Sequence, residues 1–342
     1  MLSIISDEVQ LEKILSKPSE NLINMMSRID GDIMILGIAG KMGITLGMLA
    51  LKAIRKAGLN KKVIGVSRFS EKGIEQHLNN AGIETITCDL LDRDAVNSLP
   101  QVKNVIFMAG RKFGTNEDKE LTWAVNVLTS ANVASHFQSS KIIVFSTGCV
   151  YPLVPVSTGG CSEEEDPAPI GEYAQSCLGR ERIFEHYSKI NKTSVCLIRL
   201  NYAVDLRYGV LHDIGKKVLE GKLVNITTGY FNAIWQGDAN KQVLLALEHC
   251  SSPASILNVT GPEIISVRWV AHQFGKIMRK KVIFTGAEGN NAYLSNSARA
   301  SGFFGYPKIS LEQMTHWQAH WLMSGGKSLN KATHFEVNNG NF

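Results

Sequence analysis

The chain has 342 residues, of which 44% are apolar or aromatic, so it is long enough to bury one large core or two unequal lobes. Its formal net charge of +5 is spread along the sequence without a basic run, which argues against a nucleic-acid partner. No apolar stretch approaches the length of about 18 residues that spans a membrane, and the N-terminus is too acidic for an export signal.

The cysteines bear on the cellular compartment. There are six, and none of them forms a Cys-x-x-Cys spacing, which indicates reduced thiols rather than a disulfide framework or a zinc site. We therefore expect a cytoplasmic protein that binds no metal ion, and from the charge and hydropathy patterns we expect no membrane or nucleic-acid partner.

The first half of the sequence alternates between two patterns. Residues 7–28 have a helical pattern with a break at Lys17-Pro18, and we predict a helical N-terminal extension over residues 1–30. From Gly31 short apolar runs alternate with helical segments. The predicted strands are 32–37, 63–66, 84–88, 104–108 and 141–146, and the predicted helices are 41–57, 71–81, 92–98 and 117–138. This alternation is typical of an α/β fold, a doubly wound parallel sheet covered on both faces.

The alternation loosens after about residue 150. Helices are predicted at 173–189, 212–220, 238–249, 267–279 and 310–323, and strands at 193–199 and 255–259; the apolar segment 233–235 is left without an assigned element. We interpret residues 31–204, with about 232–262, as a nucleotide-binding domain. Residues 205–231 and 263–342 are then a smaller, mixed substrate-binding lobe and tail at the carboxyl edge of the sheet, where ligands bind. The sequence leaves open whether the tail covers the active site or a partner subunit.

The first predicted strand leads into a glycine turn, Gly37-Ile-Ala-Gly40-Lys-Met-Gly43, before a helix. Glycine permits a positive φ and lets the main chain approach a pyrophosphate, while the helix N-terminus offers unpaired N–H groups. The turn therefore predicts a dinucleotide coenzyme; the alternative is a turn that only packs the helix on the strand.

Ser67 and Arg68 follow the second strand, where an acidic residue would favour NAD through the ribose hydroxyls. With Lys41 in the glycine turn nearby, this pair suits a 2′-phosphate and favours NADP over NAD. The alternative is that Arg68 stacks on adenine and Lys41 is solvated.

Three further motifs complete a family pattern. Cys88-Asp89-Leu90 follows the third strand, Phe107-Met-Ala109-Gly110-Arg-Lys112 follows the fourth, and Asn126-Val127 lies in the next helix. With the glycine turn they resemble the extended short-chain dehydrogenase/reductase superfamily, specifically the NAD-dependent epimerase/dehydratase family and its UDP-galactose 4-epimerases. The resemblance implies a Rossmann-type fold. The expected coenzyme contacts are Gly37, Gly40, Lys41, Met42, Gly43, Ser67, Arg68, Asp89, Leu90, Ala109, Gly110, Lys112 and Asn126.

The resemblance extends to the catalytic motifs. Phe145-Ser-Thr147-Gly-Cys-Val-Tyr-Pro is similar to the family's Ser-Ser-x-x-Val-Tyr-Gly segment, so Thr147 falls on the catalytic Ser/Thr, and Tyr173 falls on the tyrosine of Tyr-x-x-x-Lys. This implies proton transfer by tyrosine during hydride transfer, with Thr147 bonding the carbonyl. The implied substrate contacts are Thr147, Gly148, Tyr173 and Asn201. The family also suggests a homodimer through helices 117–138 and 173–189.

Cys177 occupies the position of the family's catalytic lysine. A thiol carries no fixed positive charge, and at an ordinary pKa of about 10 under about one per cent of tyrosine is ionised at pH 7. Three interpretations stay open. Arg180, two helical turns after Tyr173, or Lys112 supplies the charge; the protein is a silent dinucleotide-binding sensor or scaffold; or Cys177 is itself a nucleophile or redox switch. The catalytic candidates are Tyr173, Thr147, Cys177 and Arg180.

The substrate prediction depends on a missing arginine. Nucleotide-sugar epimerases carry an arginine about seven residues before the Asp of an Asp-Val-Ala segment. Gln236-Gly-Asp238-Ala239 resembles that segment here, and the region before it is Tyr230-Phe231-Asn232, which contains no cation. Without this cation a diphosphate loses a bidentate contact. We therefore predict an NAD(P)-dependent oxidoreductase or epimerase that acts on a small sugar, polyol or sugar acid.

Overall fold

The computed structural model describes residues 4–112, 114–115, 117–331 and 333–337. Its strands are β1 (Ile33–Leu36), β2 (Val63–Ser67), β3 (Glu84–Thr87), β4 (Asn104–Phe107), β5 (Lys141–Thr147), β6 (Val154–Pro155), β7 (Val195–Leu200), β8 (Ala203–Val204), β9 (Leu223–Asn225), β10 (Tyr230–Phe231), β11 (Ile234–Trp235), β12 (Ser255–Val259), β13 (Ile265–Ser266), β14 (Ile283–Thr285) and β15 (Asn291–Ala292). Its helices are α1 (Glu8–Leu15), α2 (Glu20–Arg28), α3 (Gly43–Lys56), α4 (Ile74–Ala81), α5 (Arg93–Asn97), α6 (Lys119–Trp123), α7 (Thr129–His136), α8 (Gly171–Asn191), α9 (Val210–Leu219), α10 (Gln236–Leu245), α11 (Val267–Met278), α12 (Ala298–Phe304) and α13 (Leu311–Met323).

Seven strands form one parallel sheet in the order β12-β7-β5-β4-β1-β2-β3. The strand order reverses between β1 and β4, so their carboxyl ends open a crevice there, which is where open α/β sheets bind ligands. The predicted α/β, Rossmann-type doubly wound fold is confirmed.

The sheet is covered on both faces because its central strands are apolar throughout. All four residues of β1 are buried. Ile33 and Ile35 join the apolar core that contains α2 and α3, while Met34 and Leu36 join a second core that contains α7 and α8. Successive side chains of a strand point to opposite faces, so an uninterrupted apolar run serves both layers.

The long helix predicted over 117–138 is interrupted. Residues 124–128 form a π-helical turn between α6 and α7, and Asn126 lies within it. Such turns are rare and are often found at functional sites. The short strands of the C-terminal half and helix α12 have no counterpart in the prediction, because such short segments give no measurable periodicity.

A separate apolar core joins α9, α11 and α13. Leu11 and Leu15 of α1 also belong to this core, whereas Met25 and Met26 of α2 pack under the sheet, so the N-terminal helices bridge two cores. Among the described residues, none of the helices combines the length and apolar character needed to cross a membrane.

The residues after α13 run back over the C-terminal lobe of the same chain; we call residues 324–331 and 333–337 the C-terminal strap. The Thr333 hydroxyl and amide both donate to Asp213 in α9, and Phe335 is buried in the lobe's core. Lys217 of α9 pairs with Glu336 at 3.0 Å. The strap therefore covers its own lobe.

Candidate active site

The glycine turn joins β1 to α3 at the crevice. Gly37 has φ +94, and a Cβ added there would lie 2.8 Å from the Ala109 amide nitrogen. Gly40 donates its N–H to the Gly37 carbonyl at 3.1 Å, and Met42 lies directly before the first residue of α3, Gly43, which has no room for a Cβ. Main chain rather than side chain thus faces the crevice, and this cradle fits the pyrophosphate of a dinucleotide.

A cleft extends from the glycine turn along the carboxyl ends of β1, β2 and β4. Its lining includes eight of the predicted coenzyme residues, Gly37, Gly40, Ser67, Arg68, Asp89, Leu90, Ala109 and Gly110. The Arg68 guanidinium is 3.9 Å from the Asp89 carboxylate, and both side chains are exposed. These residues define the end of the cleft where the adenosine half of a dinucleotide fits.

Lys41 points away from that end. Its Nζ lies 3.3 Å from the centre of the Tyr208 ring, in the loop before α9, and Lys41 does not line the cleft beside Arg68. Burial, followed by the positive charges of Lys112 and Lys331, lowers the pKa of Lys41 to about 7. The predicted pairing of Lys41 with Arg68 on a 2′-phosphate is therefore not reproduced, because the side chain turns toward the C-terminal lobe.

Asn126 is fully buried and its amide is used inside the protein. Its Nδ2 donates to the Arg111 carbonyl at 3.0 Å and to Ser176 Oγ at 2.9 Å. Its Oδ1 accepts from the Arg111 amide and from Arg180, each at 2.8 Å. Asn126 therefore ties the Gly110–Arg111 loop, which lines the coenzyme cleft, to helix α8.

The catalytic candidates meet at the end of β5. Thr147 is the last residue of β5, Tyr173 lies in the first turn of α8, and Cys177 lies one turn later. The Thr147 hydroxyl accepts from the Cys149 amide at 3.2 Å and is close enough to the Tyr173 hydroxyl to lower its pKa by hydrogen bonding. Thr147, Tyr173 and Cys177 thus lie close together at the end of β5.

The environment of Tyr173 keeps its hydroxyl protonated. Burial raises the pKa of Tyr173 well above its ordinary value, and the neighbouring Cys177 and Cys149 raise it further. The charge of Arg180 and the Thr147 hydrogen bond act in the opposite direction but are the smaller effects. Burial also raises the pKa of Cys177 to about 11, so this thiol is neutral at pH 7. A buried neutral phenol is a proton donor rather than a ready base.

The two cations considered as substitutes for the lysine lie in different places. Arg180 donates all three guanidinium nitrogens, to Asn126 and to the Phe145 carbonyl, so it acts on Tyr173 only through its charge. Lys112 Nζ lies 5.9 Å from the centre of the Tyr173 ring. Arg180 therefore lowers the pKa of Tyr173 through its charge, while Lys112 lies near the ring itself.

A buried ion pair fixes helix α8 against the sheet. Arg199 of β7 binds Glu181 through two nitrogens at 3.1 and 2.8 Å, and both side chains are almost inaccessible to solvent. Ser146 donates to the same carboxylate, and the guanidinium of Arg199 lies 4.6 Å from the Tyr151 ring. Such a bidentate pair sets the position of α8, and hence of Tyr173, relative to β5.

The predicted substrate contacts Gly148 and Asn201 lie beside Ser295 and Tyr293, two residues that no motif indicated. The Asn201 side chain donates to the Tyr293 carbonyl at 3.2 Å. A Cβ added at Gly148 would lie 3.1 Å from both Asn201 and Ser295, so these residues pack tightly against the glycine. The Tyr293 hydroxyl is buried without a hydrogen-bond partner among the described residues. Burial and then Cys149 raise the pKa of Tyr293 to about 12.

Tyr202 is another phenol on the substrate side. It follows Asn201 with φ +42, a conformation unusual for a bulky residue. Burial and then Cys149, Tyr208 and Tyr293 raise its pKa well above the ordinary value. The sequence offers a tyrosine here but no signal of its backbone strain or of the residues that converge on it.

Over residues 4–337, apart from the three undescribed positions among them, no group of three or more His, Cys, Asp or Glu side chains is arranged to hold a metal ion.

Comparison with known proteins identifies the family and matches the fold. A family model, described as the NAD dependent epimerase/dehydratase family, matches residues 33–222. No curated protein sequence matches the chain. Among solved structures the chain is similar to UDP-glucuronic acid 4-epimerase from Bacillus cereus in complex with NAD, with 20% identity, a TM-score of 0.70 and coverage of 86% of this chain and 100% of that one. It is also similar to UDP-glucose 4-epimerase from Thermus thermophilus in complex with NAD, with 19% identity, a TM-score of 0.67 and coverage of 84% and 98%.

Proposed function

Because the chain belongs to the NAD dependent epimerase/dehydratase family, we propose that it is an NAD(P)-dependent oxidoreductase or epimerase that acts on a small sugar, polyol or sugar acid. The observation that carries this proposal is that Thr147, at the carboxyl end of β5, lies with Tyr173 at the same edge of the parallel sheet as the main-chain cradle at Gly37, which follows β1. Hydride exchange needs an acid–base group and a dinucleotide cradle in one cleft.

The residues of the cleft fit a nicotinamide dinucleotide. The glycine turn would hold the pyrophosphate, and Ser67, Arg68 and Asp89 would contact the adenosine half. When bound, the coenzyme supplies hydride acceptance or donation. NAD is present in the structures of both similar epimerases, while Arg68 still favours NADP, so we propose NAD or NADP and compare the two by titration.

Tyr173 is the proposed proton carrier. Its hydroxyl is protonated at neutral pH, so it donates a proton to a carbonyl oxygen more readily than it removes one from an alcohol. Thr147 would hold the same oxygen through its hydroxyl. Lys112, at 5.9 Å from the Tyr173 ring, would stabilise the tyrosinate during the step that removes a proton.

The proposed substrate class follows from the uncharged residues that stand where the family's diphosphate-binding arginine is expected. Both similar epimerases act on UDP-sugars by name, but here Tyr230, Phe231 and Asn232 occupy the region where the diphosphate-binding arginine is expected. Asn232 is used internally: its Oδ1 accepts from the Ser295 amide at 2.9 Å and its Nδ2 donates to the Glu263 carbonyl at 3.0 Å. The hydroxyl of Tyr293, a residue beside Asn201, lacks a partner in the described part of the chain and can instead hydrogen-bond a hydroxyl group of a sugar or polyol.

A second function, a silent dinucleotide-binding sensor or scaffold, is favoured by the site's electrostatics. Burial dominates at Tyr173, and Cys177 supplies no compensating charge. Under this alternative the coenzyme binds with ordinary affinity and no substrate is turned over.

We also propose a homodimer and keep the two-lobe division of the chain. Leu121 and Trp123 of α6 and Leu128 of the π-helical turn are exposed apolar residues on adjacent turns. Pairing of α6–α7 and α8 with the same helices of a second copy would cover these residues.

The proposed domain boundaries are residues 31–204 with about 232–262 for the coenzyme domain, and 205–231 with 263–342 for the substrate lobe and tail.

The test begins with the purified protein. Any bound nucleotide is identified by mass spectrometry, NADH and NADPH are titrated by fluorescence, and sugars, polyols and sugar acids are screened for hydride exchange. Turnover of one of these compounds supports the enzyme. Tight coenzyme binding with no turnover across the panel supports the sensor, and failure to bind either coenzyme contradicts both.

A further inference from the structure

We propose that Tyr208 is a positioning residue for the coenzyme cradle: it holds the glycine turn from the side of the C-terminal lobe, and both ends of the chain hold Tyr208 in place. The inference deepens the proposed function and rests on it. Tyr208 ends residues 205–208, which we call the clasp turn. The segments that anchor this turn, helix α1 and the C-terminal strap, lie outside residues 33–222, which the family model matches.

The clasp turn meets the glycine turn through the Lys41 side chain. Lys41 Nζ lies 3.3 Å from the centre of the Tyr208 ring, and both residues are half-buried. A cation over an aromatic face is attracted to it, so the ring sets the direction of the lysine. Lys41 stands between Gly40 and Gly43, which have no side chains to restrain them. The contact therefore orders the turn where glycine leaves the main chain most free.

Hydrogen bonds within the clasp turn make it rigid. The Asp205 N–H donates to the Tyr208 carbonyl at 3.1 Å. The Asp205 carboxylate accepts from the Arg207 amide at 2.6 Å and from the Arg207 side chain at 2.8 Å. Both charged side chains are largely buried, and such a charge-assisted pair has a well-defined geometry. The position of the Tyr208 ring is therefore set by the contacts that anchor this turn.

Both ends of the chain anchor the clasp turn at Arg207. From helix α1, Glu8 and Glu12 approach the Arg207 guanidinium at 3.5 and 3.8 Å. From the C-terminal strap, Leu329 donates its N–H to the Arg207 carbonyl at 3.0 Å. Lys327 of the strap also pairs with Glu8 at 3.3 Å. Helix α1 and the strap thus meet at one residue of the clasp turn and are joined to each other beside it.

Ordering the glycine turn in advance favours coenzyme binding, because less conformational freedom is then lost when the ligand binds. The turn carries the main chain that fits a pyrophosphate, whereas Lys41 and Tyr208 are not among the residues that line the coenzyme cleft. Tyr208 therefore acts on the coenzyme through the turn and not by touching it. Coenzyme affinity should depend on the Tyr208 ring and on the anchors behind it.

The first test compares Tyr208→Leu with Tyr208→Phe, by titration of the full-length protein with NADH and NADPH. Tyr208→Phe keeps the aromatic face, so the coenzyme Kd should stay within about twofold of wild type. Tyr208→Leu removes that face and should raise the Kd about 3- to 10-fold, the range expected for one cation–π contact. A wild-type Kd in Tyr208→Leu would overturn the inference.

A double-mutant cycle with Lys41→Met separates positioning from direct contact with the coenzyme. If the two side chains act as a unit, Lys41→Met, Tyr208→Leu and the double variant should all lose about the same affinity. Additive losses would mean that Lys41 and Tyr208 act on the coenzyme independently, and the positioning role of Tyr208 would be wrong.

Arg207→Gln tests the anchors from the two chain ends. It removes the charge that Glu8 and Glu12 share and should raise the coenzyme Kd about 2- to 5-fold, the size expected for partly exposed ion contacts. The matched control is Arg268→Gln in helix α11, whose partner is Glu288 at 2.9 Å. This control should leave the Kd unchanged. Equal Kd values in the two variants would overturn the role of the chain ends.

Hydrogen exchange of the coenzyme-free protein gives a readout that does not depend on the proposed function. Amides of residues 40–43 should exchange about 3- to 10-fold faster in Tyr208→Leu than in wild type or Tyr208→Phe, while those of β5 keep their wild-type rates. Unchanged exchange at residues 40–43 would overturn the inference even if coenzyme affinity fell. Faster exchange in Tyr208→Leu, with no binding of NADH or NADPH to the wild-type protein, would instead contradict the proposed function alone.

Discussion

The two ends of the cleft are built from different parts of the polypeptide. At the coenzyme end the shape comes from the main chain, since Gly37 adopts a left-handed conformation and a Cβ there would strike Ala109. At the catalytic end, side chains from β5, α8 and the loop after β4 converge on Tyr173. Sterics therefore control the first end, and charge and burial control the second.

This difference determines how each end responds to change. A steric cradle tolerates almost any surrounding sequence but no added carbon at Gly37. A cluster set by electrostatics, such as that of Thr147, Tyr173 and Cys177, is instead tuned by each charge placed near it. The predictions below test whether the two ends are as independent as this contrast implies.

Tyr173→Phe should have the largest effect and should act on the catalytic end alone. Removing the hydroxyl takes away the proton carrier, which typically contributes about 10²- to 10⁴-fold in rate. Turnover of the best substrate from the screen should fall by that amount, while the Kd of NADH stays within about twofold of wild type. Full activity of Tyr173→Phe, measured by coenzyme absorbance, would remove Tyr173 from its role.

Gly37→Ala should break the coenzyme end. The methyl group would lie 2.8 Å from the Ala109 amide at φ +94, so the turn must distort. Backbone strain of about 1–3 kcal/mol at the binding surface predicts a fall in NADH affinity of roughly 5- to 150-fold.

Gly58→Ala is the matched control for this variant. Gly58 also has a positive φ, +68, but nothing lies within 4 Å of the position that an added methyl group would take. It should lower the free energy of unfolding by about 1–2 kcal/mol, as expected for a left-handed residue, and leave NADH affinity intact. Equal losses of affinity in both variants would mean that the turn at Gly37 is only structural.

Cys177→Lys should sharpen the contrast by restoring a charge at the catalytic end. An ammonium beside Tyr173 lowers the pKa of the phenol, so the pH at which alcohol oxidation becomes fast should move down. Below the pKa the tyrosinate fraction changes tenfold per pH unit, and a shift of one unit predicts about a tenfold gain at neutral pH. The measurement is the pH profile of kcat for oxidation.

Cys177→Ala separates the remaining interpretations. Removing the thiol takes away one of the groups that raise the pKa of Tyr173, so turnover should persist and the pH profile of oxidation should move slightly to lower pH. Loss of turnover in Cys177→Ala would identify Cys177 as a chemical participant. A Cys177→Lys protein that folds, as judged by circular dichroism, but shows an unchanged profile would contradict the electrostatic account of Tyr173.

The fold and the coenzyme end were predictable because their causes are local. The apolar run at Ile33–Leu36 and the glycine spacing that follows dictate a buried strand and a tight turn wherever they occur. The direction of Lys41 was not predictable, because it depends on Tyr208, which is distant in the sequence. The ring meets Lys41 only when the loop before α9 is folded against the glycine turn.

The catalytic end was predictable in its motif residues and not in its electrostatics. Spacing brings Thr147, Tyr173 and Cys177 together, but the balance of burial against the charge of Arg180 requires the packed structure. Tyr293 has no motif of its own, and a single sequence does not reveal that its hydroxyl is buried without a hydrogen-bond partner among the described residues.

Tyr293→Phe should have the smallest effect and should appear only in substrate binding. A hydroxyl without a partner in the described part of the chain contributes no hydrogen bond to the folded state, so its removal should leave the free energy of unfolding unchanged or slightly higher. If that hydroxyl binds the substrate, KM should rise about 5- to 10-fold, the loss expected for one hydrogen bond, with kcat nearly constant.

Tyr151→Phe provides the opposite pattern and therefore the control. The Tyr151 hydroxyl donates to the Asn258 side chain at 2.9 Å, so its loss should lower the free energy of unfolding by about 1–3 kcal/mol, because it leaves a buried amide oxygen unpaired. Urea denaturation of both variants distinguishes the two phenols. Destabilisation of Tyr293→Phe equal to that of Tyr151→Phe, with KM unchanged, would place Tyr293 in the structural framework. Unchanged stability of Tyr293→Phe with a raised KM would instead show that the catalytic end includes a residue of the C-terminal lobe as well as the motif residues of β5 and α8.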